Sequence, residues 1–449
     1  MPVRVIESKW PTGWPSFAHP DSDGKDRHSP DLKKAIISEY GANALCQAWI
    51  KTCNALGSVV SQIAEAGANA VPVFHYDEII DTGKNEKALE KIKATGCCVI
   101  RGVIPTEEAT QHFQDLTRFV AQNDSVSGWP KESPAIFYLY ESPVQLKLRT
   151  HPHQLKLQRL FNSLFTDPTV SPEEEKAQWE PILYPDALRI RQPGQDFDGL
   201  GPHIDGGSLS RWADVEYRRT YDKILSGHPE DYDPYDLSHR RNAKPSMFPG
   251  GAQCSVLRTF QGWTALTECS PGEGGLMVVP NIHLATAYMM LRPFFKQPSD
   301  GDWQDPRKWD LDDSPWFPGT YPMDSQLLSP ASHPHLRLEE SLVHAPTVYP
   351  GDTIWWHADM CHAVETTHNG TRPASVVYIP AAPSTPDNKA YIRGHWKDLL
   401  AGNPPGDYKY LDGFEDKLVL STQNERKMVG ALAIESIGVE GRRALGEGV

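Results

Sequence analysis

The sequence lacks the features that would place the protein in a membrane or in the secretory pathway. Its 449 residues contain no run of about 18 apolar residues, the length needed to span a bilayer. The first residues, MPVRVIESKWPTGW, lack the apolar core of a signal peptide. The seven cysteines are odd in number and scattered, which is typical of reduced thiols. We therefore expect a cytoplasmic protein without a membrane partner.

The sequence also lacks a run of basic residues. Lysine and arginine number 44 against 58 aspartates and glutamates, which gives a net charge of −14. Because binding to phosphate backbones needs a basic surface, nucleic acid is not expected as a partner. No Gly-X-Ser-X-Gly elbow occurs either, so the sequence does not indicate hydrolase chemistry.

What the sequence does contain is a change of pattern near Tyr184. Before it, apolar positions recur every three to four residues, as between Asp31 and about Ala66, which predicts helices. After it come short strand-like runs such as DALRIRQPG, DTIWWH and ASVVYIP. These patterns predict a mainly β fold, a sandwich or jelly roll, flanked by helices. We expect one compact unit with three regions: an N-terminal helical region (1–183), a catalytic core (184–385) and a C-terminal helical tail (386–449).

Two long polar insertions interrupt the expected core, at 211–250 and 291–345. Loops of that length inside a compact body are usually functional. We expect them to act as lids that enclose a small-molecule substrate.

A candidate metal centre begins in GPHIDGGSLSRW, where His203 and Asp205 are two residues apart. On a strand, such side chains point to the same face. Non-haem iron(II) oxygenases bind the metal through two histidines and one carboxylate on one octahedral face. The segment YPGDTIWWHADMCHAVE offers His357 and His362 as the third ligand. We favour His362, because it follows the DTIWW strand, whereas His357 continues that strand as a packed residue.

Arg372, ten residues after His362, is a candidate anchor for a co-substrate. The distal carboxylate of 2-oxoglutarate would lie in a buried pocket, where it needs a cation. An arginine meets a carboxylate with two hydrogen bonds. Without the metal centre, Arg372 would be interpreted as a surface residue in a turn.

The motifs resemble those of the phytanoyl-hydroxylase-like branch of iron(II)/2-oxoglutarate oxygenases. The shared order is the His-X-Asp motif, GGLMVVPNIH, PGDTIWWHADMCH and then Arg372. More closely, FQGWTAL, GDTIWWHADMCHAV and VVYIPAAP are similar to the YbiU-like family of oxygenases, over about residues 85–400. The resemblance implies a double-stranded β-helix core, Fe(II), and 2-oxoglutarate and O2 as co-substrates. Because the family varies at the position of Arg372, Arg191 and Arg258 stay open as anchors for 2-oxoglutarate or for a substrate carboxylate.

The expected activity is therefore oxidation of an aliphatic C–H bond in a small carboxylate-bearing metabolite. Oxygenases that resemble this family include some that close an aziridine ring from valine, which implies a branched amino acid and a place in secondary metabolism. The presence of Asp205 favours hydroxylation, desaturation or ring closure, since halogenases of this class lack that carboxylate. Two alternatives stay open: a non-catalytic β-barrel that binds a metal or ligand, and a cupin-like manganese or zinc enzyme.

Overall fold

Local sequence accounts for the main features of the N-terminal region. The expected helix from Asp31 to Ala66 is two helices, because Gly41 adopts a φ of 87° between them. The expected strand after Gly96 and the helix after Pro105 are both present. The computed structural model describes residues 10–11, 13–14, 16, 31–195, 197–248, 254–320, 325–408 and 424–449.

Helices outweigh strands in the described chain, with 42% of residues helical and 15% in strands. The expectation of a mainly β fold is corrected: the protein is mixed α/β, because its strands are short and most of its helical residues lie in the long N-terminal region. The helices are α1 (Leu32–Tyr40), α2 (Ala42–Ala66), α3 (Tyr76–Ile80), α4 (Glu86–Thr95), α5 (Thr106–Ala121), α6 (Pro143–Arg149), α7 (Pro152–Asn162), α8 (Pro172–Gln178), α9 (Ser210–Ala213), α10 (Val215–Arg219), α11 (Asp222–Leu225), α12 (Ile282–Leu291), α13 (Leu338–Ser341), α14 (Pro386–Ala401) and α15 (Val439–Ala444).

The strands form an eight-stranded sheet, a five-stranded sheet and a small two-stranded pair. They are β1 (Val73–His75), β2 (Cys97–Arg101), β3 (Gly128–Trp129), β4 (Ile136–Phe137), β5 (Leu188–Arg191), β6 (Leu200–Ile204), β7 (Phe260–Ala265), β8 (Leu276–Val278), β9 (Phe295–Lys296), β10 (Asp310–Leu311), β11 (Gln326–Leu327), β12 (Val343–His344), β13 (Thr353–His357), β14 (His362–Val364) and β15 (Ala374–Tyr378).

The larger sheet has the order β1-β2-β13-β7-β15-β5-β4-β3, and the smaller has the order β11-β6-β14-β8-β12. All the pairs in these two sheets are antiparallel except β1 with β2. Strands β1 to β4 come from residues before 184, so the eight-stranded sheet crosses the boundary expected at residue 183.

The two insertions pack against the N-terminal helices. Arg218 of the first insertion pairs with Glu39 of α1 at 2.9 Å. In the second, Asp312 accepts a 2.8 Å hydrogen bond from Lys33, which is fully buried. These contacts fasten α1 to the body of the protein. Parts of the expected lids and tail lie outside the described residues: 249–250, 321–324 and 409–423.

All seven cysteines are free thiols, as their scattered spacing predicts. Within the described ranges, no helix combines the length and the apolar character needed to cross a membrane.

Candidate metal centre

Three potential metal ligands meet on the five-stranded sheet. His203 on β6 and His362 on β14 are direct partners in the antiparallel register. Asp205 follows His203 by two residues, so the two side chains extend to the same side of the chain. One ligand atom from each of the three residues lies within 4.8 Å of the other two. The structure thus brings together the three residues that the sequence predicts as ligands.

Backbone carbonyls orient the two imidazoles. The Nδ1 atom of His203 lies 2.7 Å from the carbonyl oxygen of Gly201, and Nδ1 of His362 lies 3.0 Å from that of Met360. Since a carbonyl only accepts, each Nδ1 carries the proton and each Nε2 keeps its lone pair. Burial, together with the neighbouring His362, lowers the pKa of His203 to about 4. The His203 ring is therefore neutral at pH 7, which is the form that binds metals.

Both carboxylate oxygens of Asp205 are held in place. Oδ1 accepts a hydrogen bond from Ser325 Oγ at 2.9 Å, and Oδ2 accepts one from Gln261 Nε2 at 2.7 Å. Both hydrogen bonds favour the ionised form of Asp205, because a donor stabilises the negative charge of the carboxylate. The carboxylate is ionised at neutral pH and lies 3.7 Å and 3.5 Å from the two Nε2 atoms.

The donor set fits a non-haem iron(II) ion. Two neutral imidazoles and one carboxylate are the ligands of the iron facial triad, which leaves positions open for co-substrates. Gln261 adds a second indication, because its Oε1 atom is buried and no described residue donates to it. A ligand bound at the centre can supply that hydrogen bond.

The triad lies in the wall of a cavity of about 470 Å³ between the two large sheets. A cavity of this size suits a small molecule. Leu200, Leu276 and Val364 of the smaller sheet line it beside the histidines. Aromatic side chains dominate the remaining wall: Trp129, Tyr138, Tyr140, Tyr184, Trp263, Trp356, Tyr378 and Tyr408.

Three charged side chains besides the triad line this cavity. Arg258 precedes β7 and is half-buried, and Arg189 on β5 is only 2% exposed. In the described part of the chain, neither guanidinium has a hydrogen-bond or ion-pair partner. Burial raises the pKa of Asp186, the third charged group, and Arg258 acts against this shift. The cavity therefore offers two cations to anionic ligands.

Arg372 and Arg191, two of the predicted anchors, are not among the residues that line the cavity. The Arg372 side chain is 67% exposed and pairs with Glu268 at 2.8 Å on the surface. Arg191 is fully buried, but its guanidinium donates to the carbonyl oxygens of Phe197, Glu365 and Thr366. Arg372 lies too far out to neutralise a buried charge, and both Nη groups of Arg191 already bond backbone carbonyls.

His357 lies on β13 of the other sheet, apart from the triad. Its Nε2 atom lies 3.1 Å from the carbonyl oxygen of Pro234, and its ring stacks on Phe165. No described residue of the expected lids, 211–250 and 291–345, lines the cavity. Ser325 of the second insertion donates a hydrogen bond to Asp205, so this insertion helps to hold a ligand of the centre.

Sequence reasoning missed Arg189, Asp186, Gln261 and Ser325. A signal for Arg189 exists, since in the LRIR run of β5 it shares a strand face with Arg191. Gln261 likewise shares a face of strand β7 with Trp263. Asp186 and Ser325 lie outside the strands, where no periodicity gives the direction of a side chain.

The fold and the site define a mixed α/β protein with a candidate iron centre in an aromatic cavity. Among known families, the Gig2-like family matches residues 26–447. The chain belongs to the Gig2-like family.

Individual relatives agree with this assignment. Protein YbiU of Escherichia coli (strain K12) is 32% identical over 409 residues, covering 86% of this chain and 89% of YbiU. The crystal structure of GlcNAc Inducible Gene 2 from Candida albicans superposes with a TM-score of 0.81 at 27% identity, covering 94% of this chain and 89% of that one. The dioxygenase cnsJ of Penicillium expansum is 24% identical over 206 residues, covering 44% of this chain and 50% of cnsJ.

Proposed function

We propose that the protein is an Fe(II)- and 2-oxoglutarate-dependent oxygenase of the phytanoyl-hydroxylase-like branch, with its two large sheets forming a double-stranded β-helix. The observation that carries this proposal is the His203, Asp205 and His362 triad, which opens into a cavity holding two arginines that have no partner among the described residues. The partial likeness to the Penicillium dioxygenase supports the same class. A non-catalytic binding protein has no need for a triad with open positions beside such cations.

The protein side chains position the reactants. Iron bound at the triad would, with 2-oxoglutarate and O2, supply the oxidising power needed to attack a C–H bond. The carbonyls of Gly201 and Met360 fix the imidazoles, while Gln261 and Ser325 fix the carboxylate. The aromatic wall excludes water, which protects both the substrate and the protein from misdirected oxidation.

Arg189 is the proposed anchor for the distal carboxylate of 2-oxoglutarate, in place of Arg372 and Arg191. Its guanidinium is buried in the cavity wall, so it can offset the cost of burying a carboxylate. Two parallel hydrogen bonds from one arginine would also set the direction of the co-substrate.

Arg258 and Asp186 are the proposed binding groups for the substrate. A molecule with both a carboxylate and an ammonium group would pair with the arginine at one end and the aspartate at the other. The surrounding aromatic rings suit an aliphatic side chain. We therefore propose a branched amino acid, valine first, as the substrate, with hydroxylation or ring closure to an aziridine as the outcome.

The class of reaction is tested by succinate release from 2-oxoglutarate in the presence of Fe(II), ascorbate and air. We expect turnover by the wild-type protein and none by His203→Ala, Asp205→Ala or His362→Ala variants that keep the fold. His283→Ala, which changes a partly buried histidine of α12, is the matched control and should stay active. Full activity of His362→Ala would contradict the triad, and metal binding without succinate release would favour the non-catalytic alternative.

The substrate is tested with a panel of metabolites in the same assay. Branched amino acids should stimulate succinate release above the rate without substrate, whereas acyl-CoA thioesters, peptides and oligonucleotides should not. Mass spectrometry then distinguishes hydroxylation, which adds one oxygen, from ring closure, which removes two hydrogens. Stimulation by a thioester alone would exclude the amino acid and leave the iron centre standing.

A further inference from the structure

A buried cluster of charges lies behind the metal centre, away from the cavity. Asp359 pairs with Arg240 at 2.7 Å and with Arg211 at 3.5 Å, and all three side chains are at most 2% exposed. The Tyr221 hydroxyl donates to the same carboxylate at 3.0 Å. The cluster is therefore closed off from solvent, and none of its members lines the cavity.

One side of the cluster holds the loop that carries Asp205. Arg211 donates to the carbonyl oxygens of Asp205 and Gly207, and the hydroxyl of Tyr217 donates to that of Gly206 at 3.0 Å. Three consecutive carbonyls are thus bonded by side chains of α9 and α10. The loop needs such bonds, because Gly206 and Gly207 both have positive φ and belong to no strand or helix.

The other side of the cluster holds the turn that carries His362. Asp359 lies between β13 and β14, three residues before His362. Its backbone N–H donates to Nδ1 of His357 at 3.0 Å, which fixes the start of the turn. The next residue, Met360, supplies the carbonyl that orients the His362 ring. The position of Asp359 therefore affects the orientation of the His362 ring through this turn.

We infer that Arg211 and Asp359 are positioning residues that set the spacing between the Asp205 and His362 ligand atoms. The guanidinium bonds the loop of one ligand, the carboxylate belongs to the turn of the other, and their ion pair joins the two. This inference rests on the proposed function for the metal, but it concerns residues that touch neither metal nor substrate.

Geometry makes arginine the required residue at this position. Its planar group bonds two carbonyls and faces a carboxylate at once, whereas lysine presents a single ammonium. Arg211→Lys should therefore keep the positive charge but no longer fix the distance between the ligand atoms of Asp205 and His362. Partners that orient metal ligands typically change metal affinity by about 10–100-fold when they are replaced.

The inference is tested by titrating the full-length protein with Co²⁺, followed by visible absorption and calorimetry. We expect Arg211→Lys to raise the Kd for Co²⁺ by about 10–100-fold and to alter the absorption bands of the bound ion. Tyr217→Phe, which removes one hydroxyl at the same loop, should produce a smaller rise. The Kd of Tyr217→Phe still tests the inference if Arg211→Lys folds poorly.

Arg292→Lys is the matched control. Arg292 is equally buried and also donates to two backbone carbonyls, those of Ser332 and Phe295, but it has no contact with the triad. Its replacement should lower the Tm without changing the Kd for Co²⁺. A Kd within twofold of wild type in both Arg211→Lys and Tyr217→Phe would overturn the positioning role alone. Absence of Co²⁺ binding by the wild type would overturn the metal centre, and the inference with it.

Discussion

Among single residues, the arginines near the metal centre differ in what their guanidinium groups bond. Arg191 donates to backbone carbonyls, and Arg372 forms an ion pair with a glutamate at the surface. Arg189 and Arg258 face the cavity and have no partner among the described residues. Only a cation without a partner gains a new interaction when an anionic ligand binds.

Replacement of Arg189 should therefore weaken the use of 2-oxoglutarate. A charge-assisted contact is commonly worth about 2–3 kcal/mol, so Arg189→Gln should raise the KM for 2-oxoglutarate roughly 30–150-fold. Arg258→Gln should instead raise the KM for the amino acid. Arg372→Gln is the control and should leave both constants unchanged. A large effect of Arg372→Gln on the KM for 2-oxoglutarate would mean that Arg372, not Arg189, binds the distal carboxylate.

His344 gives the protein a pH-dependent ion pair, since its Nδ1 lies 2.5 Å from Glu365. The hydrogen bond with Glu365 raises the pKa of His344 above its ordinary 6.5. Burial raises the pKa of Glu365, but hydrogen bonds from His344 and from backbone N–H groups outweigh burial and hold this pKa below its ordinary value. The histidine's contribution to stability is thus full below pH 6.5 and is lost as the pH rises through its raised pKa.

Replacement of His344 should consequently cost more stability in mild acid than in base. We expect His344→Gln to lower the Tm clearly at pH 6 and much less at pH 9, because the wild-type histidine is neutral at the higher pH. The control is His228→Gln, since His228 is 60% exposed and lies 3.9 Å from Glu230. Its Tm should match wild type at both values. Equal losses for His344→Gln at pH 6 and pH 9 would contradict the ion pair.

Among the structural elements, the loop after β6 contains two glycines that respond differently to an added side chain. Gly206 and Gly207 have φ of 78° and 89°, a region that costs other residues energy. A Cβ at Gly207 would lie 2.2 Å from Ser210 Oγ and 2.6 Å from the carbonyl oxygen of Pro245. A Cβ at Gly206 would have no neighbour closer than 3.7 Å.

Alanine substitutions at the two glycines therefore distinguish the cost of backbone strain from the cost of steric crowding. Gly206→Ala should lower the free energy of unfolding by about 1 kcal/mol, from the positive φ alone. Gly207→Ala should lower it by a further ~1–3 kcal/mol, because the neighbouring atoms must move. Urea unfolding of both variants measures the difference. Equal losses would mean that the loop relaxes freely around Gly207.

For the whole molecule, the metal centre is linked to the larger sheet and to the second insertion through Asp205, which accepts hydrogen bonds from Gln261 of β7 and from Ser325. The ligands themselves come from β6, from β14 and from the loop after β6. Because Asp205 also bonds residues of the other sheet and of the second insertion, metal binding should stabilise the complete fold. At about 100 times the Kd, a ligand that binds only the folded state adds about 2.7 kcal/mol to the free energy of unfolding.

Anaerobic addition of Fe²⁺ should therefore raise the Tm of the wild-type protein. The Asp205→Ala variant should show no such rise when it is compared with and without Fe²⁺. Differential scanning calorimetry at several metal concentrations makes the comparison. A similar rise in the variant would place the stabilising metal elsewhere in the protein.

The sequence by itself determined the residues whose roles depend on neighbours in the chain. His203 and Asp205 are two residues apart at the end of β6, and the DTIWW strand distinguishes His357 from His362, so local spacing is enough to propose the triad. The break at Gly41 was missed although its cause, a positive φ, is also local.

Only the tertiary structure decided the residues whose roles depend on distant parts of the chain. The preference for Arg372 came from spacing after His362, yet its side chain points to solvent. Arg189 reaches the cavity because β5 pairs with β15 beside β7. The insertions were expected over the cavity, and only the structure shows that their described residues contact α1 and Asp205. Sequence spacing specifies the direction of a side chain within one element, whereas the contacts of that side chain depend on which elements pack against it.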